Sequence, residues 1–308
     1  LAIEQKLPVL DSVLTFEIVR TEGDTALYVT NENIKPRDGA SATGADGRAR
    51  FSGSTSSSAN SRFAGYRDMM RVRNVKAGDS TYFSVQLDRP IRNKWGMNFA
   101  YTHGDSTEAQ AIGQTTAGGQ WNRNVVFNQN TIEEGTADFE IKHRVQLSYT
   151  RLFRFFRDWD STVSLYFEGR TGNPYSWVYS TDLNGDGRFD NDTVAVPSGP
   201  GDTRFDFSGM TAAQQSSYFD FINSSGLRSY AGGIVPKNAF TEPWVNRLDL
   251  KFVQMVPIRG PARLSLFFDF INIGAFLSED LFGYTEIVSS LSNDVFRKRF
   301  LGGGSYGS

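Results

Sequence analysis

The 308-residue sequence contains no cysteine and only two histidines, His103 and His143. Thiolate zinc sites, disulfide scaffolds and cysteine nucleophiles are excluded together, and a histidine-rich metal site has too few ligands. Charge of one sign is also missing, since 32 Lys and Arg stand against 34 Asp and Glu for a net −2. That balance removes the electrostatic basis for binding nucleic acid. Long apolar runs are absent too: the longest is the four residues Ala26 to Val29, so no transmembrane helix is encoded. A β-barrel remains open as a route into a membrane, because it hides its lipid face in alternation.

Aromatic residues are plentiful, with 25 Phe, 12 Tyr and 5 Trp making 14% of the chain, far too sticky for a disordered tail. The apolar positions recur with period 2. Phe139, Ile141, Val145, Leu147 and Tyr149 alternate with Glu140, Lys142, Arg144, Gln146 and Ser148. The same alternation places Leu14, Phe16 and Ile18 on one face, then Phe83, Val85 and Leu87, then Trp95, Met97, Phe99 and Tyr101. Val163, Leu165 and Phe167 continue it, as do Leu248, Leu250 and Phe252 and finally Leu264, Leu266, Phe268 and Phe270. The chain reads as all-β, with spans near 11–21, 80–89, 94–104, 138–151, 161–172, 245–256 and 262–273.

Connections alternate in length. Tight turns fall at Pro90–Asn93, Arg154–Asp160 and Pro257–Gly260, while long polar segments lie near 34–79, 105–136, 176–243 and 274–295. Short turns at one end and long loops at the other suit an antiparallel transmembrane β-barrel segment, with periplasmic turns and extracellular loops. Parity then makes Val75–Asp79 an external turn and Tyr66–Val75 part of an extracellular hairpin arm. Trp95, Phe153, Phe155, Phe156 and Trp159 fall beside the short turns, and Tyr101, Tyr175, Trp177, Tyr179 and Trp244 near the outer ends, as two aromatic girdles would. Glu140, Lys142, Arg144, Glu168, Arg170, Arg247, Asp249 and Lys251 share the opposite parity. They would form either a hydrated lumen or the solvated face of a sandwich, and alternation alone leaves both open.

Several segments together resemble TonB-dependent outer-membrane receptors, and most nearly the Oar-like branch. They are Pro243–Phe252 followed by Asp269–Ile273, Ala100–Gly104, and Gly172–Ser176 leading into Asp182–Gly187 with Asn191-Asp192 and Val196-Pro197. The likeness runs from about residue 11 to 305. It implies a barrel of roughly 22 strands with a plugged lumen, importing an extracellular ligand with energy relayed by the TonB complex. A plug domain, a TonB-contacting segment and an aromatic-ended last strand are not seen. Residues 1–308, which start at Leu1 without a signal peptide, are therefore expected to be the C-terminal portion of such a barrel. Outer-membrane lipid of a Gram-negative bacterium and the TonB complex are the implied partners. The competing reading is a soluble or surface-attached β-rich binding module; a general diffusion porin would need a complete, plugless barrel.

Asp182-x-Asn184-x-Asp186-Gly187-x-x-Asp190 matches the first half of a calcium loop. Position twelve is Thr193 rather than Glu, and an Asx-rich turn without metal is the alternative. Arg228, Lys237, Tyr230 and Phe240 are candidates for ligand capture or for packing over the barrel mouth. His143 takes the apolar side of its strand and His103 a strand end. Gly302–Gly304 lacks the Lys of a phosphate loop, and no Gly-x-Ser-x-Gly occurs, so no enzyme is read from the sequence.

Overall fold

The structure is a computed structural model that describes residues 1–53, 61–156, 159–258, 262–283 and 290–291. Eight long strands form one antiparallel meander: β1 (Ala2–Leu7), β2 (Ser12–Glu22), β5 (Asp79–Arg92), β6 (Trp95–Glu108), β7 (His143–Phe156), β8 (Trp159–Arg170), β9 (Val245–Pro257) and β10 (Arg263–Phe270). Between β2 and β5 the chain makes an arm of two further strands, β3 (Ala26–Asn31) and β4 (Met70–Val75), paired with each other.

The all-β reading of the sequence holds, and the short–long rhythm is a property of the fold. β5 and β6 meet through Asn93 and Lys94, whose φ values of 51° and 70° make a two-residue turn that matches strand twist. Three longer connections, 23–78, 109–142 and 171–244, leave the opposite end of the sheet. The spans differ from expectation at four places. Ala2–Leu7 adds a strand ahead of the seven, pairing with β2 from Ala2↔Glu17 to Leu7↔Ser12. β7 starts at His143 rather than near 138, because the chain turns at Asp138–Phe139 and Glu140 folds inward. There the Glu140 carboxylate accepts from Ser106 N at 2.6 Å, which leaves Phe139 82% exposed. The same strand runs on to Phe156 and β8 resumes at Trp159, so the expected Arg154–Asp160 turn is mostly strand. Val75–Asp79 is not a reversal either: Gly23 N to Gly78 O (2.8 Å) and Ala77 N to Gly23 O (3.0 Å) carry the β2–β5 ladder into the arm.

Register fixes the two faces of the sheet, since directly paired residues share a side. Phe16 pairs with Val85, Phe99 with Leu147, Leu147 with Phe167, and Phe252 with both Val163 and Phe268. These place one apolar face across the meander. Thr15 pairs with Gln86, Gln86 with Ala100, Gln146 with Glu168, Glu168 with Arg247 and Lys251 with Asp269 on the other. Glu140 and Lys142 precede β7 and drop out of the polar series.

The buried core is elsewhere. Ile3, Ile18, Phe268 and Phe270 on the apolar face are 59%, 48%, 50% and 49% exposed. The three clusters of buried apolar residues among the described residues lie among the long connections. The largest comprises Trp177, Tyr179, Leu183, Val194, Val196, Phe207, Met210, Tyr218, Ile222, Leu227 and Val235. It is organised by the helix α1 (Ala212–Ser224), whose N-terminus carries a reciprocal capping box between Thr211 and Gln214. Two smaller clusters pack the arm against 109–121 through Tyr28, Ala109 and Trp121. Trp177 and Tyr179 are thus core residues of this cap, not an outer girdle; the apolar interior of the loop outcompetes a rim position. No closed barrel forms among the described residues: β1 and β10 are each paired on one side only.

Candidate functional site

The three long connections meet at a polar seam, and the calcium-like loop lies in it. The loop is flanked by a β-ladder, Val178–Tyr179 with Asp192–Thr193, rather than by helices. Its turn is held by carboxylates that accept the loop's own amide hydrogens. Asp182 Oδ1 accepts from Gly185 N (2.7 Å) and Asp186 N (3.0 Å), and its Oδ2 from Gly187 N (2.9 Å). Asn184 Oδ1 accepts from Asp186 N at 2.8 Å, and Asp186 Oδ1 from Arg188 N at 2.7 Å. Gly185 sits at φ 77° with its Cα side against the Phe51 carbonyl, a position that excludes a side chain.

Of the four residues expected from spacing, the structure brings Asp182, Asn184 and Asp186 together. Asp190 is exposed with φ 59° at the tip. Two residues that the spacing did not single out join the first three. Asn191 Nδ2 donates to Asp186 Oδ2 at 3.1 Å, while Asp192 Oδ2 accepts from Leu183 N (2.8 Å) and Asn184 N (3.4 Å). Asn184, Asp186, Asn191 and Asp192 are all buried. Among the described residues no three His, Cys, Asp or Glu side chains stand as a ready-made metal cage.

Arg48 is the only basic group turned fully into this seam among the described buried residues, at 1% exposure. Its guanidinium pairs with Asp46 at 2.7 Å and Asp192 at 3.0 Å, donates to the Thr193 carbonyl at 2.8 Å, and lies over the rings of Phe127 and Tyr179. One side chain thereby ties the arm loop, the 109–142 connection and the 171–244 connection together. Arg188 adds a second tie through both Asp68 oxygens at 3.0 and 3.1 Å. Backbone bonds Phe51 N to Asn184 O (2.7 Å) and Val126 N to Asn191 O (3.1 Å) complete the seam.

The electrostatics follow from burial. Loss of water, then the nearby Asp192 and Asp182 charges, push the Asp186 carboxyl up to about 7. Burial raises Asp192 to about 6 even though Arg48 opposes the rise, and burial also raises Asp182 against its three amide donors. For Arg48 burial disfavours the charge, but Asp192 and Asp46 more than offset it and the guanidinium is held above its ordinary value. The seam therefore holds more carboxylate than cation.

The other candidates are packed. Lys237 is 7% exposed and pairs with Glu108 (3.1 Å) and Asp138 (3.2 Å), while Tyr175 stacks on Phe240 and Tyr230 meets the same ring edge-on. Arg228 is exposed. His143 Nδ1 lies 2.9 Å from the Tyr101 hydroxyl, and its ring is 4.8 Å from that of His103, so both histidines pack on the apolar face. Gly302–Gly304 lies outside the described residues.

Comparison with protein-family models, with curated proteins and with solved structures returns no match to this chain.

Proposed function

We propose that this chain is part of the wall of a transmembrane β-barrel in a Gram-negative outer membrane, in a receptor that takes up an extracellular ligand. The observation that carries the reading is the division of solvents within one chain. Apolar side chains line one face of eight neighbouring strands, half-buried across the central strands and exposed on the outer ones, and none of them joins a core cluster, while every apolar cluster among the described residues is enclosed in the loops. An uncovered band of that extent on a water-soluble sheet would be an association site; in a bilayer it is the surface that lipid requires. Strand lengths agree: β5, β6 and β7 have 14 residues each. At about 3.3 Å per residue that is roughly 45 Å, more than the ~30 Å hydrocarbon core and leaving strand to project beyond it. On this reading the polar face lines a hydrated lumen, and the cap makes the first contact with the ligand.

Energy relay through TonB, and the Oar-like character, rest only on the sequence resemblance of Pro243–Phe252, Asp269–Ile273, Ala100–Gly104 and the segments from Gly172 to Pro197. The test uses adjacent residues of β7. Leu147 stands on the apolar face and Ser148 on the polar one. Leu147→Arg should block membrane assembly of the full protein, since a mid-bilayer Arg costs about 2–4 kcal/mol, whereas Ser148→Arg should assemble normally. Equal tolerance of both, or a chain that stays monomeric in buffer without detergent, would replace the barrel with a β-rich binding module. The two one-sided edge strands of the sheet are the observation that keeps that second reading in play.

A further inference from the structure

The seam of the cap contains four carboxylates, of Asp46, Asp182, Asp186 and Asp192, around one inward guanidinium. Arg188 pairs with Asp68 through Nη2 and also opposes the charge of Asp182, which still leaves the acids of the seam, Asp68 included, in excess. Buried negative charge in excess of its counter-charge must take up protons or a cation. A second and independent observation selects the cation. Asn191 is fully buried, its amide lies against Asp186 through Nδ2, and its Oδ1 has no hydrogen-bond partner. It is Nδ2 that faces Asp186, so the buried Oδ1 is an unused acceptor that a turn of the amide would bring to the acid cluster.

We propose that the seam takes up one calcium ion, bound by the carboxylates of Asp182 and Asp186 and the amide oxygen of Asn191, with Asp192 balancing the charge. The donors are all oxygen, mixed between charged and neutral, which favours a hard cation over a transition metal. They come from an irregular turn rather than an octahedral frame, which favours calcium over magnesium. The absence of a ready-made cage fits a simple movement. Rotating the Asn191 amide by half a turn replaces its donor to Asp186 with its unused acceptor. Asp182 and Asp186 keep their backbone amide donors, because Asp182 Oδ2 and Asp186 Oδ1 each accept only one and the turn of Asn191 frees a site on Asp186 Oδ2. The ion would sit where the 171–244 connection meets the arm loop through Phe51 and Gly53, so its binding would clamp the cap shut.

This site belongs to the cap and gives the same answer whether or not the sheet is seated in lipid. The test is titration of calcium chloride into the full chain, stripped with chelator and held in detergent micelles, followed by calorimetry. One equivalent of calcium should bind and raise the thermal midpoint, with no comparable response to magnesium chloride. Asp186→Asn should weaken binding at least tenfold. That change removes a like charge from a crowded acid cluster, so it should not unfold the cap. Asn191→Ala, which leaves every carboxylate in place, serves as the second variant and should weaken binding too. No binding up to about 10 mM calcium, beyond the range of extracellular calcium modules, would overturn the proposal. Binding that both variants leave unchanged, or an equal response to magnesium, would overturn it as well.

Discussion

Replacement of Arg48 by Met isolates what the seam contributes to the cap. Methionine keeps most of the apolar stem and removes the guanidinium, with its donors and its place over the Phe127 and Tyr179 rings. What is lost is an ion pair to Asp46 at 2.7 Å, another to Asp192 at 3.0 Å and a bond to the Thr193 carbonyl at 2.8 Å. The side chains of Arg48, Asp46 and Asp192 are 1%, 5% and 1% exposed, so water cannot replace the missing partner. Breaking a buried pair from one side costs about 3–5 kcal/mol, because the surviving carboxylates stay buried and uncompensated. That is roughly two to four orders of magnitude in the equilibrium for opening the seam. Hydrogen exchange read by mass spectrometry, in chelator, should show protection falling by that factor in peptides covering 42–53, 124–128 and 182–196. Peptides from β5 to β9 should be unchanged, since opening of the cap is local. Adding Asp46→Asn and Asp192→Asn to Arg48→Met should return at least a tenfold share of the protection. Uniform loss across strands and cap, or no loss anywhere, would refute the argument that Arg48 holds three connections in one place.

Three further outcomes follow from the same geometry. With chelator present, the cap should grow more stable as pH falls from about 7 towards 4. The Asp186 and Asp192 carboxyls bind protons more readily when folded, at about 7 and about 6, than in the unfolded chain, where carboxylates titrate near 4; denaturant midpoints that fall over this range would contradict the assignment. Asn31→Ala should cost about 1–3 kcal/mol, seen as a lowered denaturant midpoint of the cap. Its side chain accepts from Asn33 N (3.0 Å) and Met69 N (3.1 Å) and donates to Asp68 (2.9 Å) at a fully buried position. Gly185→Ala should loosen the contact between the 171–244 connection and Phe51, because a Cβ there would lie 2.6 Å from the Phe51 carbonyl oxygen at φ 77°. Left-handed backbone alone costs a non-glycine residue about 1–2 kcal/mol, and exchange at the Phe51 and Gly53 amides would report it.

Strand positions were legible where three or more successive positions on one face are apolar, as in β5, β8, β9 and β10, because period 2 is a local property of the chain. The first strand escaped notice because Gln5 interrupts its apolar side, between Ile3 and Leu7. The start of β7 was misplaced for the opposite reason: Phe139 and Ile141 keep the alternation although the chain is turning. The seam was beyond any local pattern. Arg48 and Thr193 are 145 residues apart, and nothing in the spacing of either loop announces the other. Within the Asp182 loop the spacing found three of the clustered residues. It missed Asn191 and Asp192, which reach the cluster only because the flanking ladder reverses the chain. Trp177 and Tyr179 show the same limit, since an aromatic near a strand end reads alike whether it faces a membrane rim or a loop core.

The distribution of apolar contacts implies an order of strength within the cap. The largest cluster lies wholly within the 171–244 connection, so this loop can hold its shape once β8 and β9 pin its ends. The arm and the 109–142 connection share two other clusters and form a second unit. No apolar cluster among the described residues joins the two units; the contacts between them are polar, through Arg48, Arg188, Lys237, Asn238, backbone bonds and the acid cluster. Polar contacts of this kind are worth about 1 kcal/mol each after water is counted, while each fully buried Leu or Val contributes about 1.5–3. The seam is therefore where the cap should open first, with both units remaining folded on either side. A cation that neutralises the seam would then set how often it opens without altering either core. That division lets the cap keep both cores and still part along one line.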